Sequence, residues 1–153
     1  MIKHFFVFLM LFLSIDLVYS QNRIIKGKVI DYSLEPLIGV DVVYNDSIKV
    51  GVTNVDGNFQ IEVPLSVNNL IFRLVGVESA NLKISAGCDN VEVIMFLLGY
   101  YDFMSYRKVN KERRKMYKEL PELHKEAYEK GIFQSTEPCY TREFVEWTKE
   151  RVP

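Results

Sequence analysis

The chain has 153 residues, with 19 Lys and Arg against 20 Asp and Glu and a formal net charge of −1. That balance excludes a nucleic-acid-binding protein held by bulk charge. The size suits one modest domain with an appendage.

The chain opens with Lys3 and His4, runs from Phe5 to Leu13 without a polar residue, and continues through Ser14 to Ser20. A basic start, a short apolar run and Val18 and Ser20 at the −3 and −1 places predict a signal peptide over residues 1–20. The apolar run is shorter than the roughly 20 residues that span a bilayer. An uncleaved N-terminal anchor is the alternative. No cysteine follows the run, so a lipid anchor is not expected. The mature chain would begin at Gln21 and be exported, to the periplasm or the cell surface, with no transmembrane span after cleavage and no nucleic-acid partner.

From Ile24 to Leu98 the dominant period is two, the mark of half-buried strands. Ile25, Gly27 and Val29 share one face of a first strand, Val40, Val42 and Tyr44 of a second, and Val50 and Val52 fit a short third. Phe59, Ile61 and Val63 alternate with Gln60 and Glu62, and Leu70, Phe72 and Leu74 follow. Leu82 and Ile84 suggest a weak edge strand, and Val91, Val93, Met95 and Leu97 close the series. Turn chemistry separates these runs at Glu35-Pro36, Asn45-Asp46-Ser47, Asp56-Gly57-Asn58, Asn68-Asn69 and Gly87 to Asn90. Seven short strands with no helical run between them predict an all-β, antiparallel sandwich over residues 21–98.

After Leu98 an aromatic connector, Gly99 to Phe103, leads into a charged stretch. Val109, Met116, Leu120, Leu123 and Ala127 recur at helical spacing. Pro121 is expected to divide the run into two helices and to stand near the first turn of the second, with Gly131 as its stop. Thr141 is a fair N-cap for a last short helix carrying Phe144, Trp147 and Thr148. Residues 99–153 are thus expected to form a helical C-terminal extension. Charge is uneven: residues 21–98 carry net −3 and residues 99–153 net +2.

In an exported chain the two cysteines, Cys88 and Cys139, are expected to pair, tying the tail to the first module. Two free thiols are the alternative.

The ordered pieces Gly27-x-Val29-x-Asp31, Pro36-Leu37-x-Gly39-Val40-x-Val42, Thr53-x-x-Asp56-Gly57-x-Phe59 and Leu70-x-Phe72 to Val75-Gly76 resemble the carboxypeptidase regulatory-like domain. That family is a transthyretin-like, seven-stranded sandwich common in exported proteins of the Bacteroidetes. Asp56-Gly57 supplies a tight hairpin, Gly39 a close chain approach, and Phe59 an anchor between the sheets. Asn54 and Val77 depart from the family's usual Asp and Tyr. The resemblance implies an accessory module, found beside metallocarboxypeptidase domains and at the periplasmic N-terminus of outer-membrane receptors that import glycans through a TonB-dependent barrel. The 55 residues after Leu98 are expected to leave no room for a peptidase or a barrel, so neither activity carries over.

No constellation able to do chemistry stands out. His124 is the single histidine after residue 20, and on a charged helix it reads as solvated rather than as a ligand or a base. Asn54, Asp56 and Asn58 read as a hairpin turn rather than a calcium loop, which needs a Gly at its sixth position and a distal bidentate carboxylate. Glu62 and Glu78 read as ordinary outward strand residues. The expectation is a non-enzyme with no cofactor, no catalytic residue and no metal site.

Two surfaces remain as candidates. Tyr100, Tyr101, Phe103 and Tyr106 cluster after the last strand, either to glue the tail to the sandwich or to stack on a glycan. Lys108, Lys111, Arg113, Arg114, Lys115 and Lys118 form a basic run within residues 106–130, which carry net +4. It reads as a solvated helix face, or as a dock for an acidic partner, for anionic lipid headgroups or for the acidic sandwich of the same chain. The resulting expectation is a binding or assembly module of the cell envelope with a protein partner, the alternative being a carbohydrate-binding module for glycan capture or uptake.

Overall fold

A computed structural model describes residues 22–99 and 104–150. The expected signal peptide and Tyr100, Tyr101 and Phe103 lie outside the described residues.

Seven strands form where the period of two predicts them: β1 (Asn22–Asp31), β2 (Asp41–Tyr44), β3 (Ile48–Val52), β4 (Asn58–Pro64), β5 (Asn69–Arg73), β6 (Ala80–Ile84) and β7 (Asn90–Met95). They are followed by a helix, α1 (Tyr106–Glu129), and a further strand, β8 (Tyr140–Arg142). The strands make a sandwich of two sheets, ordered β4-β1-β7 and β3-β2-β5-β6-β8. Alternate residues of each strand turn inward, and Ile25, Val29, Val42, Phe59, Ile61, Leu70, Phe72, Val91 and Val93 fill the interior. Phe59 does anchor the two sheets, meeting Phe72 edge-on with ring centroids 5.4 Å apart. Burial of this set supplies the main apolar driving force of the fold.

One strand pair departs from the antiparallel expectation. β1 and β7 run parallel, Lys26 opposite Asn90 and Ile30 opposite Ile94. No hairpin links them; the other strands of the sandwich lie between them in sequence, so the turn geometry that enforces antiparallel pairing does not act.

The sequence motifs find local reasons. Thr53 is buried, and its Oγ1 donates to the Leu37 carbonyl (2.6 Å) and accepts from the Val40 N–H (2.9 Å), stapling the β1–β2 loop to the β3–β4 hairpin. Asn54 Oδ1 accepts from the N–H groups of Asp56 (3.0 Å) and Asn58 (2.9 Å), an Asx turn that an Asp would make equally well. Gly39 corrects an expectation: its φ of +76° stands in open space, so it serves backbone conformation rather than close approach. Close approach falls to Gly27, where an added Cβ would lie 1.8 Å from the Val91 carbonyl oxygen.

The tail differs most from expectation. A single 24-residue α1 runs through Pro121 instead of breaking there. Pro121 is exposed, while residues on both sides of it are buried against the sandwich, and that packing outweighs the lost backbone bond. Gly131 stops the helix as expected. With φ at +70°, its N–H reaches Tyr128 O while Ile132 N–H reaches Ala127 O, the paired bonds of a Schellman ending.

The last short helix does not form. Thr141 lies in β8, which pairs antiparallel with β6, Lys83 opposite Thr141. β6 is therefore flanked on both sides instead of standing at the edge. A free strand edge offers a row of unpaired backbone groups, and a β-compatible Tyr-Thr-Arg segment satisfies them better than an isolated helical turn would.

Candidate functional site

The chemistry-bearing side chains gather where the tail crosses the sandwich. α1 and the loop after it lay Ala127 and Phe133 on Ile30 and Ile94, the outward apolar residues of β1 and β7. Beside this patch runs a seam of buried polar groups. Arg113 is 2% exposed and grips Glu78 with two parallel bonds, Nε to Oε2 at 3.0 Å and Nη2 to Oε1 at 2.7 Å. Its remaining Nη1 donates to Asn110 Oδ1 and to the Val145 carbonyl. The Arg113 guanidinium also lies 4.3 Å from the Trp147 ring centroid, and Asn110 pins Trp147 by exchanging two 2.9 Å bonds with its backbone.

Tyr117 donates to Glu78 Oε1 at 2.7 Å, and Arg142 Nη2 approaches the same oxygen at 3.7 Å. Burial pushes the Glu78 carboxyl up. The bonds from Arg113 and Tyr117 and the charges of Arg113 and Arg142 overcome that push and hold it below the usual carboxylate range. Burial moves the Tyr117 hydroxyl up to about 12, against the opposing charge of Arg142, so it stays a donor at neutral pH. This arrangement holds charge in place.

β8 closes the open side of the sandwich. Its backbone pairs with β6, while Tyr140 and Arg142 reach across to β7: Tyr140 Oη donates to Glu92 O at 2.9 Å and Arg142 Nη1 to Ile94 O at 3.0 Å. Cys139, next to β8, is disulfide-bonded to Cys88, with Cα atoms 5.7 Å apart. The loop between α1 and β8 is clamped by Glu92, whose carboxylate accepts from Gln134 N, Ser135 N and Ser135 Oγ.

Three sequence readings change here. Arg113 is a buried anchor, not part of a solvated basic run, because it lies four residues after Val109 on the helix face turned to the sandwich. Glu78 is not an ordinary outward residue; it sits in the β5–β6 loop as the partner of Arg113. His124 is not solvated either: it is 2% exposed, with its ring 4.8 Å from Phe133, and burial pulls its pKa down. Glu62 does face solvent, bonded to Asn22 Nδ2 at 3.0 Å.

The rest of the basic run divides. Arg114 is tied to Glu146 and lies over the Phe144 ring. Lys108, Lys111, Lys115 and Lys118 are all exposed. Their steps of three, four and three place them on one helical face, a stripe about 15 Å long at 1.5 Å rise per residue. Among the described residues none of the four has a carboxylate within 4 Å. At the start of α1, Tyr106 is 43% exposed and borders a hollow of about 630 Å³ with Arg107, Lys111, Arg114 and Trp147.

Sequence reasoning missed Asn110, Glu92 and Arg142. For Asn110 a signal existed, since it falls beside Val109 on the inward helix face. For Glu92 and Arg142 none existed without the β8 pairing.

Among the described residues no helix is long and apolar enough to cross a membrane. Over 97 residues the chain is 32% identical to the TonB-dependent receptor SusC of Bacteroides thetaiotaomicron, covering 59% of this chain and 10% of the receptor. It thus spans about a tenth of that receptor's length. No solved structure matches the chain significantly. The model of the CarboxypepD_reg-like domain matches residues 25–109, from the first inward residue of β1 into the first turn of α1. With more than half its length so matched and the sandwich in place, the chain belongs to the CarboxypepD_reg-like domain family.

Proposed function

We propose that the chain is an exported, non-catalytic binding and assembly module of the cell envelope, acting in the periplasm or on the cell surface. In this reading the lysine stripe of α1 docks on an acidic surface of an envelope protein. The family, the leader-like residues 1–20 and the likeness to a TonB-dependent receptor support the envelope placement. The stripe carries the docking reading. Among the described residues, Lys108, Lys111, Lys115 and Lys118 are exposed and form no ion pair, while Arg113 and Arg114 of the same run are engaged within the chain. Such a row favours encounter with an opposite charge and weakens with salt.

The test is capture of partners from envelope extracts of the source cells with the tagged chain, at low and high salt. A stoichiometric protein partner is expected, with affinity reduced about tenfold or more when all four lysines become glutamate. Unaltered capture by that variant would sink the docking reading.

A second reading, glycan capture, draws on the hollow at the start of α1, where exposed Tyr106 and the neighbouring Trp147 border cationic side chains. A glycan array with Tyr106→Ala as the control tests it.

A further inference from the structure

The outer face of the three-stranded sheet changes character along its length. At one end Ile30 and Ile94 are covered by α1 and Phe133. At the other end the strand register sets two rows of outward side chains, Gln60-Lys26-Asn90 and Asn58-Lys28-Glu92. These rows floor an open groove of about 540 Å³, walled by the β3–β4 hairpin on one side and by Ile132 and Gln134 on the other. That volume lies in the range of small-molecule sites.

Lys26 and Lys28 occupy alternate positions of the central strand, which puts their stems about 7 Å apart on one face. Amides flank them where carboxylates would neutralise them. The one acid in the rows, Glu92, is 4% exposed and has both oxygens engaged by Gln134 and Ser135. On the other sheet, by contrast, Lys49 meets Asp41 at 2.5 Å. Among the described residues, neither lysine forms an ion pair, and the side-chain amides of Asn58, Gln60, Asn90 and Gln134 form no hydrogen bond to the rest of the chain.

We propose that this groove binds a carboxylate-bearing oligosaccharide, with Lys26 and Lys28 on its carboxylates and Asn58, Gln60, Asn90 and Gln134 on its hydroxyls. The paired ammonium groups call for an anion. The amides narrow the class: each offers both donors and an acceptor, which matches hydroxyls that do the same. A small inorganic anion such as phosphate has at most two O–H donors and spans too little of the groove to serve all four amides. A neutral sugar would leave the ammonium pair unmatched. The site is separate from the lysine stripe, and the proposal goes beyond the assembly reading without resting on it.

The experiment is a calorimetric titration of the whole chain with trigalacturonic acid, with the same trisaccharide reduced at its carboxylates, and with inorganic phosphate. Trigalacturonate is expected to bind, and the reduced form to bind at least about tenfold more weakly, as the loss of charge-assisted bonds implies. Lys26→Gln with Lys28→Gln, at an unchanged thermal midpoint, should lose a similar factor. Gln60→Ala should weaken the saccharide but not phosphate. Lys108→Gln with Lys118→Gln should change nothing. The proposal is overturned if trigalacturonate does not bind, if the reduced sugar or phosphate binds as tightly, or if the helix variant loses affinity in place of the sheet variant. Failed protein capture with intact trigalacturonate binding would break the assembly reading alone.

Discussion

The interior of the sandwich and the seam beneath the tail are both buried, yet they are held by different means. Between the sheets, side chains such as Val29, Phe59, Leu70, Phe72 and Val91 make non-directional contacts, and each apolar neighbour can substitute in part for another. Along the seam, Glu78 has Arg113, Glu92 has Ser135, and Ile94 O has Arg142, partners between 35 and 48 residues apart in sequence. Each is a directional match made by particular atoms. The interior should degrade gradually as packing is lost. The seam should fail at single residues, because removing one partner leaves the other buried and unmatched.

The sharpest way to break that comparison is a matched pair of truncations. Phe72→Ala should cost about 3–5 kcal/mol through the cavity it leaves, and Phe72→Leu much less. Arg113→Ala should cost about as much, roughly 3–5 kcal/mol, because the buried Glu78 loses its bidentate partner and keeps only Tyr117 and the more distant Arg142. The rescue patterns differ. Adding Glu78→Leu to Arg113→Met should restore only part of the seam's loss, since replacing both ends of a buried pair can be near neutral but Arg142 and Tyr117 lose Glu78 as well. Denaturant unfolding measures all of these, and a conservative Arg113→Lys that behaved like wild type would contradict the bidentate geometry described above.

The disulfide sharpens the comparison from the covalent side. Cys88 and Cys139 close 51 residues of chain, and replacing both by serine should cost about 2–4 kcal/mol, chiefly through the freed unfolded state. Hydrogen exchange should show the loss concentrated in β8 and the loop before it. Uniform loss across β1 and β4 would mean that the tail and the sandwich unfold as one unit. A smaller effect of opposite sign is expected at Pro121. It is exposed inside α1, so Pro121→Ala should restore the N–H bond to Tyr117 O and raise stability by about 1–3 kcal/mol.

The two regions also differ in how far they could be read in advance. Strand positions repeat every two residues, so Phe59, Ile61 and Val63 declare their inward face from local pattern alone, and the disulfide follows from reading two cysteines in a chain expected to be exported. β8 is three residues long and became a strand only because β6 had a free edge for it. Nothing within Tyr140-Thr141-Arg142 carries that information. Arg113 and His124 lie between the two cases. Both stand on the apolar stripe of α1, four residues after Val109 and Leu120 respectively, yet their polarity suggested solvent. Charge was given more weight than register, and register was the stronger signal. The groove on the outer sheet face went unseen because the parallel β1–β7 pairing, which brings Asn90 beside Lys26, has no local signature.

The smallest expected effect is the pH response of the seam, and its sign follows from His124. Burial against Phe133 disfavours the charged imidazolium, and the nearby Glu92 charge and the backbone at Thr136 and Glu92 offset this only in part. The folded pKa is therefore below the unfolded one, so the unfolded chain binds more protons as pH falls. The stability this contributes is complete above the ordinary imidazole value of about 6.5 and is lost as pH falls below it, through the folded value. Glu78 adds a loss of the same sign, but lower down, where its depressed carboxyl protonates. Stability measured between about pH 7 and pH 5 should thus decline in the wild type and flatten in His124→Gln, because that window isolates the imidazole from the carboxylates. An undiminished slope in the variant would place the titrating group elsewhere, and would mean that the seam tolerates a buried imidazolium beside Glu92.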